Sequence, residues 1–135
     1  MALIQWNGRL SVGVAEIDLQ HQRLVEMINK LDDAMQQGKG KDVLGEIING
    51  LIEYSKTHFR TEEEYFDRFG YPHALSHKKE HAEFTKKVAE FKRAFDAETL
   101  ALSIGVMYFL SNWLKNHIKD SDKKFGPVFN ENGLK

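Results

Sequence analysis

Four stretches of this 135-residue chain carry apolar residues at the spacing of an amphipathic helix, and short runs containing glycine or proline end the first two. The first spans about Asp18 to Gln37, with Asp18 as N-cap and Leu24, Val25, Ile28, Leu31 and Met35 in one stripe, and Gly38-Lys39-Gly40 ends it. The second runs from about Lys41 to Phe69 along Leu44, Ile47, Ile48, Leu51 and Tyr54, and Gly70-Tyr71-Pro72 stops it. The third starts near Ser76, a candidate N-cap, and reaches Phe95 with Phe84, Val88, Phe91 and Phe95 on one face. The fourth runs from about Ala97 to Asp120, with Leu100, Ile104, Met107, Leu110 and Leu114 turned inward. Helices of roughly 20 residues joined by short loops pack as antiparallel neighbours. The expected fold is therefore all-α, an antiparallel up-down-up-down four-helix bundle. Residues 1–17, with Trp6, read as an irregular N-terminal arm over it, and 18–135 as the bundle with a short C-terminal tail, so that 1–135 forms a single domain.

Composition narrows the function. With 41% hydrophobic residues the chain has enough apolar material for a core, and a formal net charge of -1 gives no footprint for nucleic acid. No cysteine is present, so disulfides, thiolate zinc sites and iron–sulfur clusters are excluded. No apolar run approaches the roughly 20 residues of a membrane span, and the first residues lack the charged-then-apolar form of a signal peptide. The expectation is a cytoplasmic protein with no direct membrane insertion, although a domain of a larger membrane receptor would read the same.

The helical stripes are interrupted by polar residues in a regular way. His21 lies at the start of the first segment, His58 and Glu62 toward the end of the second, His77 and His81 at the start of the third, and His117 and Asp122 at the end of the fourth. In an antiparallel bundle, start, end, start, end is the same end four times over. All of them are thus expected to converge at one depth. Asp122 fits least well, because five residues on a regular helix turn about 500°. Either the helix loosens there, through a π-type turn, or Asp122 lies just past its end; Asp120 is the neighbouring alternative, at a worse angle.

Five imidazoles and two carboxylates in one core carry a large desolvation cost without a metal, and they are too many ligands for one tetrahedral zinc. Nitrogen and oxygen donors without sulfur favour iron or manganese. Carboxylates bridge and imidazoles do not, so Glu62 and Asp122 are expected to span two ions while the histidines divide as three and two. With one solvent-derived oxygen bridge, one ion is then six-coordinate and the other keeps a vacant position.

The set His21, His58-Phe59-Arg60-Thr61-Glu62, His77-Lys78-Lys79-Glu80-His81 and His117-Ile118-Lys119-Asp120-Ser121-Asp122 resembles the ligand pattern of the hemerythrins. Trp113-Leu114-Lys115-Asn116-His117-Ile118 and the Trp6 arm resemble the bacterial members. The resemblance implies two iron ions (Fe2+/Fe3+) with an oxo or hydroxo bridge, His77, His81 and His117 on the saturated iron, and His21 and His58 on the open one. It further implies reversible O₂ binding at the open iron, where small anions such as azide or chloride also bind. Phe59, Trp113, Leu114 and Ile118 match the apolar O₂ pocket of the family. Such a protein is not an enzyme; it carries, stores or senses oxygen, alone or in contact with or fused to a signalling protein such as a chemotaxis receptor.

Rival readings rest on less of the chain. His77-Lys78-Lys79-Glu80-His81 fits the H-x-x-E-H zinc-hydrolase motif but leaves the other converging ligands unexplained. A ferritin-like di-iron oxidase needs E-x-x-H pairs, which do not occur. His73 lies off the helical register, and Glu63 and Glu64 are expected to turn outward into solvent. Ile118, beside a ligand position, leaves no obvious general acid at the open site. A sensor needs an element that reports ligation, and the Trp6 arm is the candidate.

Overall fold

The computed structural model describes residues 5, 6, 8, 10–97 and 102–135, the side chains of 119 and 120 excepted. Four helical columns form the expected bundle: α1 (Ala15–Gln36), α2 (Gly40–Phe69), α3 (Ala74–Asp96), and a fourth that begins with α4 (Leu102–Trp113). α1 packs against α2 and α4, and α3 against the same two, the square arrangement of an antiparallel bundle. Among the described residues there is no strand, and no helix is long and apolar enough to cross a membrane.

The ends of the helices depart from the sequence reading in instructive ways. α1 begins at Ala15, so Asp18 lies inside its first turn and does not cap it. Its carboxylate instead accepts hydrogen bonds from the Val12 amide at 2.8 Å and the Ser11 hydroxyl at 2.6 Å, which pins the arm to the bundle. α3 likewise starts at Ala74, ahead of Ser76, whose hydroxyl donates to the His73 carbonyl. Ile104 is 63% exposed, not inward, because Val106, Leu110 and Trp113 define the buried face and a step of two residues turns about 200°. Leu100 lies outside the described residues, as do several positions of the arm.

The fourth column changes pitch where His117 and Asp122 fall. A π-helix, Leu114–Ser121, continues α4, and a 3₁₀ turn, Asp122–Lys124, follows. The Asp122 amide donates to the His117 carbonyl, five residues back. One wider turn thus brings positions five apart into register, the first of the two resolutions open from sequence.

The expected short tail is a further helix, α5 (Gly126–Glu131), entered through Pro127, whose missing N–H costs nothing in a first turn. Phe125 at its start and Phe129 within it are fully buried and pack with Val12, Val14, Ile17, Phe66 and Tyr71 in a second apolar cluster, separate from the main core of Leu24, Ile28, Leu51, Phe84, Leu110 and their neighbours. A Cβ on Gly126 would stand 2.1 Å from the Val12 carbonyl oxygen, so arm and tail touch backbone to backbone. Asn130 locks the junction by donating to the Gly13 and Leu134 carbonyls. Along α2, Tyr54 and Phe59 belong to the main core and Phe66 to the second cluster, with His58 and Glu62 between. The polar residues therefore lie in a layer sealed on both sides by hydrocarbon.

Candidate metal centre

His21, His58, Glu62, His77, His81, His117 and Asp122 meet in that layer, and each is at most 3% exposed. The two carboxylates occupy its middle and share their oxygens between two groups of imidazoles. On one side His21 Nε2 stands 2.9 Å from Asp122 Oδ2 and 3.4 Å from Glu62 Oε2, and His58 Nε2 is 2.6 Å from the same Glu62 oxygen. On the other, His77 Nε2 is 2.7 Å from Asp122 Oδ1 and 3.2 Å from Glu62 Oε1, His81 Nε2 is 3.1 Å from Glu62 Oε1, and His117 Nε2 is 3.0 Å from Asp122 Oδ1. Two overlapping donor sets result: Glu62, His77, His81, His117 and Asp122, and His21, His58, Glu62 and Asp122. Asp122 belongs to both sets, the side chain of the alternative Asp120 lies outside the described residues, and His73 is exposed in its loop.

Polar partners behind the rings set their tautomers. The Nδ1 of His58 faces Gln20 Oε1 at 2.5 Å, that of His81 faces Glu63 at 3.0 Å, and that of His117 faces Glu80 at 3.0 Å. Each Nδ1 must donate to its acceptor, so each Nε2 turns a lone pair into the layer. For His81 and His117 that lone pair then meets carboxylate oxygens, and both Nε2 atoms, Glu62 Oε2 and both Asp122 oxygens lack a hydrogen-bond partner. Lone pairs directed at one another in a buried site are favourable only with cations between them. The residues present therefore fit a pair of metal ions.

The titration behaviour agrees. Burial alone would lower His21 and His117, but Asp122 and Glu62, joined by Glu80 at His117, lift them to about 9 and about 10. His77 is raised by the same two carboxylates against its burial, whereas at His58 burial prevails and lowers the value. Burial pushes Glu62 up, yet His58, His21 and His77 hold it well below the ordinary carboxylate range. Asp122, which burial and Glu62 would raise, is held down by His117 and His21. The same two carboxylates that favour a proton on His21, His77 and His117 would favour a metal cation there.

Two acidic residues do more than the sequence suggested. Glu63 is half-buried and orients His81, so only Glu64 of that pair is a plain solvated side chain. Glu80, the base of the H-x-x-E-H reading, receives hydrogen bonds from His117 Nδ1 and the Ser121 hydroxyl on the far side of the ring from the buried carboxylates. That position does not suit a base acting at a metal. A register clue for both was available: each lies one residue from a ligand, where a helix points a side chain across the neighbouring column.

Of the pocket residues, Phe59 stacks on His81 with centroids 3.9 Å apart and lies 5.8 Å from His58, while Trp113 stacks on His117 at 3.9 Å. Leu114 and Ile118 are buried in the main core. Sequence reasoning missed Tyr54, whose ring stacks on His58 with centroids 4.9 Å apart. Burial first, and then Glu62 and Asp122, push its phenol well above the usual value, so it stays protonated. A groove of about 460 Å³ between α1 and α2 ends against Gln20, Tyr54 and His58.

Comparison with known proteins agrees with this geometry. The family model described as the hemerythrin HHE cation binding domain matches residues 12–129. The chain is 39% identical to a bacteriohemerythrin of Stenotrophomonas maltophilia over 93% of its own length and 80% of that protein's. It is 40% identical to one of Pseudomonas aeruginosa over 90% of its length and 78% of that protein's. A bacteriohemerythrin of Methylococcus capsulatus is 32% identical, with 94% and 97% covered. Among solved structures, wild-type hemerythrin superposes with a TM-score of 0.84 at 31% identity, covering 94% of this chain and 98% of that one. With its bundle, its buried histidine and carboxylate layer and these relatives, the chain belongs to the hemerythrin family.

Proposed function

We propose that this protein binds O₂ reversibly at a non-haem di-iron centre held by His21, His58, Glu62, His77, His81, His117 and Asp122. The unequal division of the donors carries the reading: three imidazoles and two carboxylate oxygens on one side, two imidazoles and two on the other. With a bridging solvent oxygen the larger set completes six positions and the smaller leaves one vacant, beside His21 and His58. Iron would supply the vacant coordination position and the electrons that O₂ takes up reversibly.

The chain's own residues do the rest. Gln20, Glu63 and Glu80 hold three imidazoles in the tautomer that binds metal. Phe59, Trp113, Leu114 and Ile118 form an apolar O₂ pocket that excludes water, and small anions such as azide or chloride compete for the same position. Glu80, engaged behind His117, is unsuited to hydrolytic base chemistry, which favours carriage or storage of O₂ over catalysis. The cysteine-free sequence suits a reducing cytoplasm.

The test is anaerobic loading with ferrous iron followed by titration with O₂. Two irons per chain and a visible band that appears with O₂ and fades on its removal support the reading. Failure to hold iron, or irreversible oxidation at the first exposure, overturns it.

A sensing role within a larger signalling assembly is favoured by one observation. Trp6 is partly buried against the main core, and the arm behind it is fastened through Asp18. If ligation moves the arm, Trp6 fluorescence will change with O₂ in the iron-loaded protein; an unchanged signal rejects the arm as the reporter.

A further inference from the structure

Beyond the layer of metal donors, three buried side-chain polar atoms in its surroundings have no hydrogen-bond partner: the oxygens of Tyr54 and Tyr71 and the indole nitrogen of Trp113. Tyr54 and Trp113 belong together. Tyr54 stacks on His58 at 20° between ring planes and Trp113 on His117 at 13°, so each covers a ring from a different donor set. Both also pack against Phe59 and Phe84, which places them on the core side of the layer. The Trp113 indole is close enough to the Tyr54 phenol to act on it, yet no hydrogen bond of ordinary geometry joins the two.

Hydrogen-bond arithmetic leaves a remainder. An indole nitrogen only donates, whereas a phenol both donates and accepts. Even with Trp113 donating to Tyr54, the phenol proton has no acceptor among the described residues. Water from the α1–α2 groove does not relieve it, because Tyr54 lines the groove while its oxygen has no exposure to solvent. An unspent donor in an apolar wall costs stability, and phenylalanine would fill the same space without that cost. An acceptor that arrives with a ligand resolves it.

We propose that Tyr54 is the polar member of the ligand pocket, its hydroxyl donating a hydrogen bond to the outer atom of O₂ or a small anion held beside His58. The inference rests on the function proposed above and changes its picture of an entirely apolar pocket. Tyr54 acts as a specificity residue: it favours ligands that carry negative charge or an exposed lone pair on the distal atom and slows their escape.

The test is Tyr54→Phe, with sodium azide as probe of the oxidised iron-loaded protein and urea denaturation of the metal-free protein as a second readout. The expected result is azide binding weakened roughly 10-fold, equivalent to about 1.4 kcal/mol, through faster dissociation, with iron content unchanged and the metal-free chain as stable as before or more so. Unchanged azide affinity overturns the proposal. So does a metal-free Tyr54→Phe chain that unfolds at lower urea, since that is the mark of a structural bond to Trp113. Wild-type protein that holds no iron or binds no azide defeats the proposed function itself and this proposal with it, whereas normal binding by both proteins defeats this proposal alone.

Discussion

Glu80 stands next to His81 in the chain but serves His117, accepting its Nδ1 proton at 3.0 Å from across the α3 and fourth-column interface. The same carboxylate takes the Ser121 hydroxyl at 2.9 Å, and His117 holds it below the ordinary range, so it is ionised at neutral pH. Removing it frees the imidazole to rotate and to carry its proton on the wrong nitrogen. Glu80→Ala is expected to weaken metal retention by about 10–100-fold at the larger donor set. Competition with a coloured chelator measures this, and equal retention by variant and wild type would show that His117 needs no partner.

The shared carboxylates predict an asymmetry between variants. Glu62 contributes an oxygen to each donor set, whereas His58 belongs only to the smaller one. Glu62→Ala is expected to lose both irons, and His58→Ala to keep one and lose the O₂-dependent visible band. Metal analysis of the purified variants decides; equal loss in both would mean that the two sets do not fill independently.

Proton linkage gives the metal-free chain an unusual stability profile. His21 and His117 are raised from 6.5 to about 9 and about 10, so the stability they contribute is fully present below pH 6.5 and is lost as pH rises through those values. Glu62 and Asp122 are depressed, so their contribution is present above the ordinary carboxylate range and is lost as pH falls below it. His58, lowered by burial, gives up stability as pH falls below 6.5, so metal-free protein should be most stable near about pH 6 and weaken steadily toward pH 10. Iron binding would displace these protons, so the loaded protein should lose the alkaline decline. Urea midpoints at pH 6 and 9, with and without metal, test the sign; metal-free protein more stable at pH 9 than at 6 would contradict it.

Closure of the bundle end depends on one position without a side chain. A methyl group on Gly126 would meet the Val12 carbonyl oxygen, which is backbone and cannot rotate away. Gly126→Ala should cost about 1–3 kcal/mol by overpacking and open the layer to water, seen as a lowered urea midpoint together with faster autoxidation of the loaded protein. Normal values for both would show that arm and tail can part without consequence.

The bundle and the convergence of donors were legible because both are periodic. Leu24, Ile28 and Leu31 announce the buried face of α1 by spacing alone, and His21 lies on the same stripe. Antiparallel packing then converts positions near a start or an end into a common depth, with no contact information needed. Helix starts were less legible. Asp18 and Ser76 have the chemistry of N-caps, but the arm and the preceding loop offered their oxygens better partners, and the helices began earlier.

The sequence by itself determined which faces are apolar and which polar residues interrupt them, since a helix repeats every 3.6 residues whatever surrounds it. Only the tertiary structure decided the rest. Whether residues 117 and 122 align depends on a π-turn, whose cost is recovered only when the layer of donors packs around it. The pairing of Glu63 with His81, Glu80 with His117 and Gln20 with His58 depends on the rotation of one helix against another, which no single stripe encodes. The seal over the layer likewise required Phe125 and Phe129 to find Phe66 and Val14, contacts between distant segments whose local sequence reads as a tail and an arm.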